Sequence, residues 1–459
     1  MRADTLRTWL DHLQQTDRLA VINRQVSLDF ELAAVAKHLD GKKAAYFTSV
    51  GGHQIPVVAG VASTRQMFAE ACETTNYELI QKLNEAVENP RPYSEVDKSE
   101  ATVKENVFLE DIDLMKMLPM PVHHEEDAGN YVTAGLFIVR DPKTRKQNVS
   151  IHRLQVAGKD KFTALILARH THHIHQQAEE RDEPLECAVV IGVDPVTMLA
   201  SQASTVFGVD ELEIACALRE EPLPVVRCET VDIDVPAHAE IVIEAKILPH
   251  EREPEGPFGE FPKYYGRRSD KEVVQVTAIT HRDDPIFHTI IPAGYEHLLL
   301  GGIPREASLL ETVRQTVPTV RAVHMTLGGT CRYHAAISIK KDAEGQGKNA
   351  VFAALANSFD IKHVFVVDEE VDIFDPEEVE WALATRFQAD RDLIVVHGAE
   401  GSKLDPSSDN GVSSKMGFDC TVPMDSESFD YLRVRIPGYE EIKLEDYLDP
   451  NPSAVGFET

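Results

Sequence analysis

The chain has few cysteines and no long apolar run, and each shortage excludes a class of protein. Its six cysteines are scattered over 459 residues without a CxxC pair, which argues against a disulfide framework or a zinc site and favours reduced thiols. No apolar run approaches the ~20 residues of a membrane-spanning helix, and the first residues open into an amphipathic pattern without a signal core. The sequence therefore predicts a globular protein of the cytoplasm, with no membrane partner.

Basic residues are also scarce. The 46 lysines and arginines face 76 aspartates and glutamates, which gives a formal net charge of −30. A field of that sign repels nucleic acids and anionic membrane surfaces. We therefore expect no nucleic-acid partner, and any anionic substrate needs a local basic pocket.

The length predicts roughly three domains. An amphipathic helix over 4–16, followed by alternating strands and helices, predicts an N-terminal α/β region. β-type runs dominate from 131 to 291 and favour a barrel-like domain, and the alternation that returns after Pro304 favours an α/β domain. The stretch from Glu400 is rich in Ser, Asp, Gly and Pro, and predicts a long loop before a short acidic helix at 439–448. The predicted divisions are 1–118, 119–304, 305–430 and a tail, 431–459.

The most informative stretch is Glu255-Gly256-Pro257-Phe258-Gly259-Glu260, which we call the acid loop. Pro257 lacks an amide donor and both glycines tolerate positive φ, so the stretch cannot continue a helix. A tight loop that fixes two carboxylates beside an aromatic ring can separate their pKa values and supply a general acid. An ordinary turn with solvated acids is the alternative.

Asn148 and Arg153 lie on one predicted strand. Side chains alternate between the two faces of a strand, so a regular strand would point these two in opposite directions. A bulge or a strand end is needed to bring both to one site. Otherwise Arg153 is a surface residue.

Four histidines occur within residues 170–175 and invite a metal interpretation, although they lack the spacing of a zinc protease. The alternative is a polar helix start with surface histidines. Downstream, Asp210 and Glu213 resemble a capping box, which leaves Glu211 free to reach a metal. Asn, His and Glu together suit Mn²⁺ or Mg²⁺ better than Zn²⁺.

Three further cations are candidates for binding a carboxylate or a phosphate. His297 and Arg305 bracket Gly301-Gly302, which we predict to be a turn before a helix over 306–316. Lys415 follows two serines in the predicted C-terminal loop. Each of the three could equally be solvated.

Taken together, these motifs and their order resemble the UbiD-type decarboxylases. The resemblance extends from about residue 130 to 421, with a weaker N-terminal region, and includes the segments Val235-Pro236-Ala237-His238-Ala239-Glu240, Gly328-Gly329-Thr330-Cys331-Arg332-Tyr333 and Ser413-Ser414-Lys415-Met416-Gly417-Phe418-Asp419. It implies a central split β-barrel of the flavin-reductase type between the two α/β regions. It also implies prenylated FMN (prFMN), held through its phosphate by Mn²⁺ or Mg²⁺, with K⁺ nearby.

Site residues carry over from the resemblance position by position. It implies Arg153, Glu255 and Glu260 as the catalytic set, and Asn148, His173 and Glu211 as the metal ligands. The residues implied at the cofactor are Asn148, Ile151, His152, Arg153, His172, His173, Ser201, Gln202, Glu211 and Lys415.

The implied reaction is a reversible, non-oxidative decarboxylation through a covalent substrate–cofactor adduct. The cofactor acts as the electron sink, Arg153 orients the carboxylate, and Glu260 protonates the carbon that CO₂ leaves. His297 and Arg305 resemble the substrate-side pair of heteroaromatic branches, which favours furan-2,5-dicarboxylate or a similar acid such as pyrrole-2-carboxylate. A flavin prenyltransferase as cofactor supplier and a homo-oligomer, dimer or hexamer, are the implied partners.

Several alternatives stay open. A 4-hydroxybenzoate-type or cinnamic acid decarboxylase would use the same catalytic set on another substrate. The chain could be a subunit of a multi-component (de)carboxylase. A flavin-independent, metal-dependent hydrolase could use the histidines and the paired acids.

Overall fold

The computed structural model describes residues 4–427 and 429–448. Helices are spread over the whole described chain. Their bounds are α1 Leu6–Gln15, α2 Glu31–Leu39, α3 Arg65–Ala71, α4 Leu79–Glu88, α5 Leu114–Met117, α6 His170–Glu179, α7 Pro195–Ala200, α8 Glu211–Arg219, α9 Tyr295–Thr316, α10 Gln346–Asn357 and α11 Pro376–Arg386.

The strands are most densely spaced in the middle of the chain. Their bounds are β1 Leu19–Ile22, β2 Ala44–Phe47, β3 Val57–Ala59, β4 Ser94–Glu95, β5 Asn106–Phe108, β6 Tyr131–Val132, β7 Leu136–Arg140, β8 Gln147–Ile151, β9 Leu154–Val156, β10 Lys161–Ala164, β11 Leu185–Ile191, β12 Pro224–Arg227, β13 Asp234–Pro236, β14 Ile241–Glu255, β15 Phe258–Gly259, β16 Tyr265–Gly266, β17 Ser269–His281, β18 Phe287–Thr289, β19 Val320–Met325, β20 His334–Ile339, β21 His363–Asp368, β22 Leu393–Glu400 and β23 Val412–Asp419.

The N-terminal α/β region begins as the sequence predicts. The Thr5 side chain caps α1, and the apolar stripe of this helix, which includes Trp9 and Leu13, is buried. The sheet of this region has the order β1-β2-β3-β18. Its last strand, β18, comes from far along the chain and pairs in parallel with β3.

The central region is a curled, nine-stranded sheet. Its main path is β6-β9-β10-β17-β14-β11-β7-β8, and β5 also pairs with β17. The long strands β14 and β17 pair antiparallel with register shifts at Glu244/Ala245 and Ile247/Arg252, and such irregularities bend a sheet. The mixed α/β fold with a curled central sheet is therefore confirmed.

The C-terminal region is an α/β sheet of order β19-β20-β21-β23-β22. Strands β20, β21 and β23 pair in parallel, which requires the crossovers that α10 and α11 provide. The long loop predicted from Glu400 is wrong in part, because β23 fills the sheet between β21 and β22. Lys415 lies on this strand and not in a loop.

Helix α9 corrects a second prediction. Gly301-Gly302 is not a turn, because the helix runs unbroken from Tyr295 to Thr316 and also contains Pro304. The glycines serve close packing: a Cβ at Gly301 would overlap the Arg332 guanidinium, and a Cβ at Gly302 would lie 2.7 Å from the Cβ of Cys331. The helix is continuous across residues 304 and 305, where the sequence predicts a domain boundary.

The acidic helix predicted near the C-terminus is replaced by two short 3₁₀ turns, Tyr439–Glu441 and Leu444–Asp446. Residues 449–459 lie outside the described residues. Within residues 429–448, which the structure describes, many apolar side chains are exposed: Val434 is 99% and Ile436 is 74% accessible. All six cysteines are buried and free, which agrees with the absence of a disulfide framework.

Candidate active site

The acid loop forms where β14 ends. Glu255 is the last residue of that strand, and Gly256 follows with φ of +83°, a left-handed conformation that glycine adopts without steric cost. Phe258 and Gly259 then pair with Tyr265 and Gly266 in a small hairpin. The turn therefore presents Glu255 and Glu260 from fixed strand ends, as the Pro/Gly pattern predicts.

Arg153 lies between the two acids. Its Nε and Nη2 donate to the two oxygens of Glu255 at 2.8 Å each, and Nη1 donates to Glu260. The guanidinium carbon lies 4.7 Å from the centre of the Phe258 ring, close enough for a cation–π contact. The structure thus brings the three predicted catalytic side chains together.

A strand end allows this arrangement. Strand β8 ends at Ile151 and β9 begins at Leu154, so Asn148 and Arg153 do not share one regular strand. The break releases Arg153 from the alternation that would have turned it away from Asn148. Of the two possibilities left open by the sequence, the strand end is the one that occurs.

The two acids differ in environment. The Glu255 side chain has no accessible surface, whereas Glu260 keeps 13%. Burial raises the pKa of Glu260, the Arg153 charge opposes this rise, and the charges of Glu255 and Asp127 add to it. The net shift is upward, which favours the protonated acid at a position that solvent can still reach.

His297 and Arg305 lie on α9, and Arg332 packs against the same helix at Gly301. Burial, reinforced by the charges of Arg332, Arg153 and Arg305, lowers the pKa of His297 to about 3. Burial and Arg332 also lower the pKa of Arg305, whose Nη2 lies 3.8 Å from Asp360. His297 and Arg305 are therefore near one another, on one helix and not across a turn.

Arg332 lies at this site although its sequence motif did not predict a role for it. Its guanidinium is buried, lies 5.1 Å from the Phe261 ring centre and donates to the Cys331 carbonyl at 3.0 Å. Within the described part of the chain, no carboxylate forms a salt bridge with it. The signal in the sequence was the pair of glycines at 301 and 302, which leave room for Arg332 and Cys331 to pack closely against the helix.

The candidate metal ligands come from three elements that meet at β8. The amide of Val149, next to Asn148, donates to Glu211 Oε2 at 2.6 Å, and Asn148 Nδ2 donates to Thr171 Oγ1 at 3.0 Å. His173 follows on the same helix as Thr171, is exposed and contacts the edge of Phe207. These contacts put Asn148 and Glu211 side by side, with the turn of α6 that carries His173 adjacent.

Glu211 fits a role as a cation ligand. It is buried, and burial raises its pKa to about 8; among the described residues no arginine or lysine pairs with it. Asp210 caps α8 through the Leu212 amide, but Glu213 binds Lys146 instead of completing a capping box. No three His, Cys, Asp or Glu residues cluster as a metal site in the described chain; the predicted set has only two, with an asparagine as the third.

The remaining cofactor candidates are spread around these elements. His152 accepts or donates at 2.9 Å to Ser150, and burial lowers its pKa to about 4. His172 has a buried Nδ1 that forms no hydrogen bond with the residues described. Ser201 donates to the Met198 carbonyl at 2.7 Å, and the Gln202 amide folds back onto Ser201.

Lys415 lies on the C-terminal sheet. Its Nζ donates to the carbonyls of Ser358 and Phe359 at 3.3 and 3.1 Å, and burial lowers its pKa. Asp360, which lies beside Arg305, also attracts Lys415. Lys415 therefore lies near the same acid as Arg305 on α9.

None of the described helices is long and apolar enough to span a membrane.

Three family models together match nearly the whole chain. They are the N-terminal domain of 3-octaprenyl-4-hydroxybenzoate carboxy-lyase (UbiD) over residues 10–87, its Rift-related domain over 94–295 and its C-terminal domain over 298–420.

Solved structures agree with these matches. The UbiD-class enzyme HmfF from Pelotomaculum thermopropionicum, in complex with FMN, is 55% identical, with a TM-score of 0.96 over 97% of this chain and 100% of that one. An evolved dimeric form of HmfF was solved with prFMN. The 3,4-dihydroxybenzoic acid decarboxylase from Enterobacter cloacae is 31% identical, with a TM-score of 0.91 over 96% of this chain and 98% of that one.

Among curated proteins, the anhydromevalonate phosphate decarboxylase of Methanothermobacter thermautotrophicus is 40% identical over 422 residues, 92% of this chain and 97% of that protein. The chain therefore belongs to the UbiD family of decarboxylases, which are carboxy-lyases.

Proposed function

We propose that this enzyme decarboxylates a small aromatic or heteroaromatic acid that carries a second anionic group, with furan-2,5-dicarboxylate as the first candidate and prFMN as the cofactor. The observation that carries the proposal is the arrangement of charges. Arg153, which is held by Glu255 and Glu260, and a second pair of cations, Arg305 and Arg332, all lie close enough to His297 to lower its pKa. Such a site has one end for the carboxylate that leaves and one end for an anion that stays.

Arg153, Glu255 and Glu260 have different roles in the proposed reaction. Glu255 holds two nitrogens of Arg153, which fixes the plane of the guanidinium and leaves the Nη1 edge for Glu260 and an incoming carboxylate. When CO₂ leaves, the carbon needs a proton, and Glu260 is the acid with a raised pKa. Its residual exposure lets water return the proton after each turnover.

The residues proposed to hold the cofactor through a metal are one on β8, one on α6 and one on α8. Asn148, His173 and Glu211 would bind Mn²⁺ or Mg²⁺ and, through it, the cofactor phosphate, because an uncompensated buried carboxylate favours a bound cation. When bound, prFMN supplies the electron sink for decarboxylation at an sp² carbon. K⁺ and the remaining cofactor contacts stay proposals: Ile151, His152, His172, Ser201, Gln202 and Lys415.

The second group of cations supports a dianionic substrate. Among the described residues, Asp360 is the acid that pairs with Arg305, and it also attracts Lys415. Arg305, Arg332 and Lys415 all interact with this one aspartate, which leaves an excess of positive charge that an anionic group on the substrate would compensate. A substrate with a single carboxylate would leave these cations unpaired.

The same excess of positive charge favours a second candidate, an acid that bears a phosphate. A pair of guanidinium groups suits phosphate as well as carboxylate, and the chain is similar to a decarboxylase named for anhydromevalonate phosphate. A 4-hydroxybenzoate-type or cinnamic acid would present a neutral group or none at this end. These acids are the comparison substrates in the test.

We also propose that the chain works as a homo-oligomer, dimer or hexamer, because its tail exposes Val434, Ile436 and other apolar side chains that a second copy would cover. The domain divisions at 118 and 430, the split-barrel assignment and a flavin prenyltransferase as supplier remain part of this proposal, as does a division near 304, although residue 304 itself lies within α9. The free thiols are typical of a reducing compartment such as the cytoplasm.

The proposal is tested by expressing the chain with and without a flavin prenyltransferase, adding Mn²⁺ and K⁺, and measuring the visible spectrum and CO₂ release. The panel is furan-2,5-dicarboxylate, 2-furoate, pyrrole-2-carboxylate, anhydromevalonate phosphate, 4-hydroxybenzoate and cinnamate. We expect prenyltransferase-dependent colour, and CO₂ from furan-2,5-dicarboxylate but not from 2-furoate. Equal turnover of both furans would contradict the role of the second cation group. Turnover by colourless protein would favour the hydrolase.

A further inference from the structure

The loop before β6 runs along the acid loop and binds its backbone. Asp127 Oδ1 accepts a hydrogen bond from the Gly259 amide at 2.8 Å. One residue later, the Ala128 amide donates to the Pro257 carbonyl at 2.9 Å. Gly259 immediately precedes Glu260, so Asp127 holds the peptide that carries the proposed proton donor.

Asp127 is itself held firmly. Its side chain has no accessible surface, and its second oxygen accepts the His124 amide at 2.9 Å. Burial opposes its ionisation, but the nearby His124 ring and the hydrogen bonds from the Gly259 and His124 amides outweigh burial, so the pKa of Asp127 is lowered. It is therefore a buried negative charge at neutral pH.

The charged groups around Glu260 are few. Arg153 favours its ionised form, while Glu255 and Asp127 oppose it. Glu255 is bound through both oxygens by Arg153, which largely neutralises it. Asp127 has only the His124 ring, at 3.5 Å, as an ion-pair partner among the described residues. Its field at Glu260 is thus less compensated than that of Glu255.

We propose that Asp127 is a positioning residue for the proton-transfer step: it aims Glu260 through the Gly259 amide, and its charge favours the protonated form of Glu260. In each turnover Glu260 gives its proton to the carbon that CO₂ leaves, becomes a carboxylate and regains a proton from water. The charge of Asp127 promotes the second event. This proposal rests on the proposed role of Glu260 as proton donor.

Two substitutions separate position from charge. Asp127→Asn removes the charge and keeps one oxygen for the Gly259 amide, and its amide nitrogen takes the place of the oxygen that accepts from the His124 amide. Asp127→Glu keeps the charge but lengthens the side chain in a site without free surface. Glu125→Gln is the matched control, because it removes the same charge from an exposed acid two residues away.

The measurement is the pH profile of kcat for the flavin-loaded enzyme, on whichever acid of the panel releases CO₂, with Tm as a check of folding. We expect Asp127→Asn to move the basic limb to lower pH by about one unit, the size of effect that one neighbouring charge produces. We expect Asp127→Glu to lower the plateau by about 10- to 100-fold, because Glu260 is misplaced, with the limb unmoved. Glu125→Gln should match the wild type.

An Asn profile that coincides with the wild type would overturn the charge effect, and a full plateau in the Glu variant would overturn the positional effect. Infrared spectra recorded against pH provide a readout that needs no substrate. The protonated carboxyl band that Glu260→Gln removes should titrate at lower pH in Asp127→Asn. If Glu260→Gln itself turns over normally, the proposed function fails; if that variant is inactive and the band does not move, only the role of Asp127 fails.

Discussion

Glu255 grips Arg153 through both carboxylate oxygens, at 2.8 Å from Nε and from Nη2. This bidentate contact fixes the orientation of the guanidinium plane. Glu260, five residues along a Pro/Gly turn, is left with the Nη1 edge. One acid is thereby committed to structure and the other is available for chemistry, and the first predictions follow from that division.

Replacing Glu260 by glutamine should remove the proton donor without emptying the site. We expect Glu260→Gln to lose at least ~100-fold in kcat, the usual contribution of a general acid, while the visible spectrum of bound flavin is unchanged. Retained turnover would exclude Glu260 as the donor. Glu253→Gln, on an acid of β14 that pairs with Lys161 of β10, is the control.

The pH dependence of the wild type has a definite sign. Glu260 must be protonated to act, so activity is present below its pKa and is lost as the pH rises through it. Burial raises that pKa above the ordinary value for glutamate, so the basic limb should lie above the ~4.3 of a free glutamate. A kcat profile with activity lost already at that pH would show that another group limits the reaction.

His173→Ala should lose the metal and the flavin together, because the proposed metal links the protein to the cofactor phosphate. Metal content and flavin absorbance of the purified protein measure this. His170→Ala is a close control, since both rings contact the edge of Phe207. A fully loaded His173→Ala protein would move the ligand to His172 or His175.

Arg332→Gln tests the second cation group. We expect kcat/KM for furan-2,5-dicarboxylate to fall by roughly 10- to 100-fold, the worth of one charge-assisted hydrogen bond. Activity on any turned-over acid without a second anion should change far less, which makes the substrate pair an internal control. An equal fall for both classes of substrate would mean that Arg332 serves the fold and not the substrate.

Gly301→Ala should have the same selective effect without removing any charge. Alanine normally favours a helix by about 1 kcal/mol over glycine, but here its Cβ would overlap the Arg332 guanidinium and push it from its place. Gly328→Ala is the matched control, because a Cβ there meets nothing within 4 Å. An unchanged substrate preference in Gly301→Ala would show that Arg332 has room to move.

The parts that local sequence determines were predicted well. The acid loop was recognisable because Pro257 and its flanking glycines exclude a helix, and Asp210 was recognisable as the start of α8 because a cap acts within one turn. The parts that failed depend on distant residues. Gly301 and Gly302 resemble helix breakers until Arg332 and Cys331, thirty residues away, pack against them.

Lys415 is a second residue whose structural environment depends on distant parts of the chain. Its neighbourhood is rich in Ser and Gly and reads as a loop, yet Gly417 allows β23 to lie close against Val351 of α10, and β21 and β22 supply the pairing. The sequence predicts that the strand must be interrupted if Asn148 and Arg153 are to reach one site. It does not show whether a bulge or a strand end provides the interruption. Arg332 was quoted within a motif and given no role, since its position depends on how α9 crosses it.

The position of β18 has a consequence for synthesis. The N-terminal sheet needs residues 287–289 beside β3, so its edge stays open until more than half of the chain has been translated. An exposed edge strand is a template for unwanted pairing, and contacts of such long sequence separation form slowly. The N-terminal sheet therefore cannot be completed until residues 287–289 have been synthesised. A fragment that ends at residue 118 would leave the edge of β3 unpaired permanently.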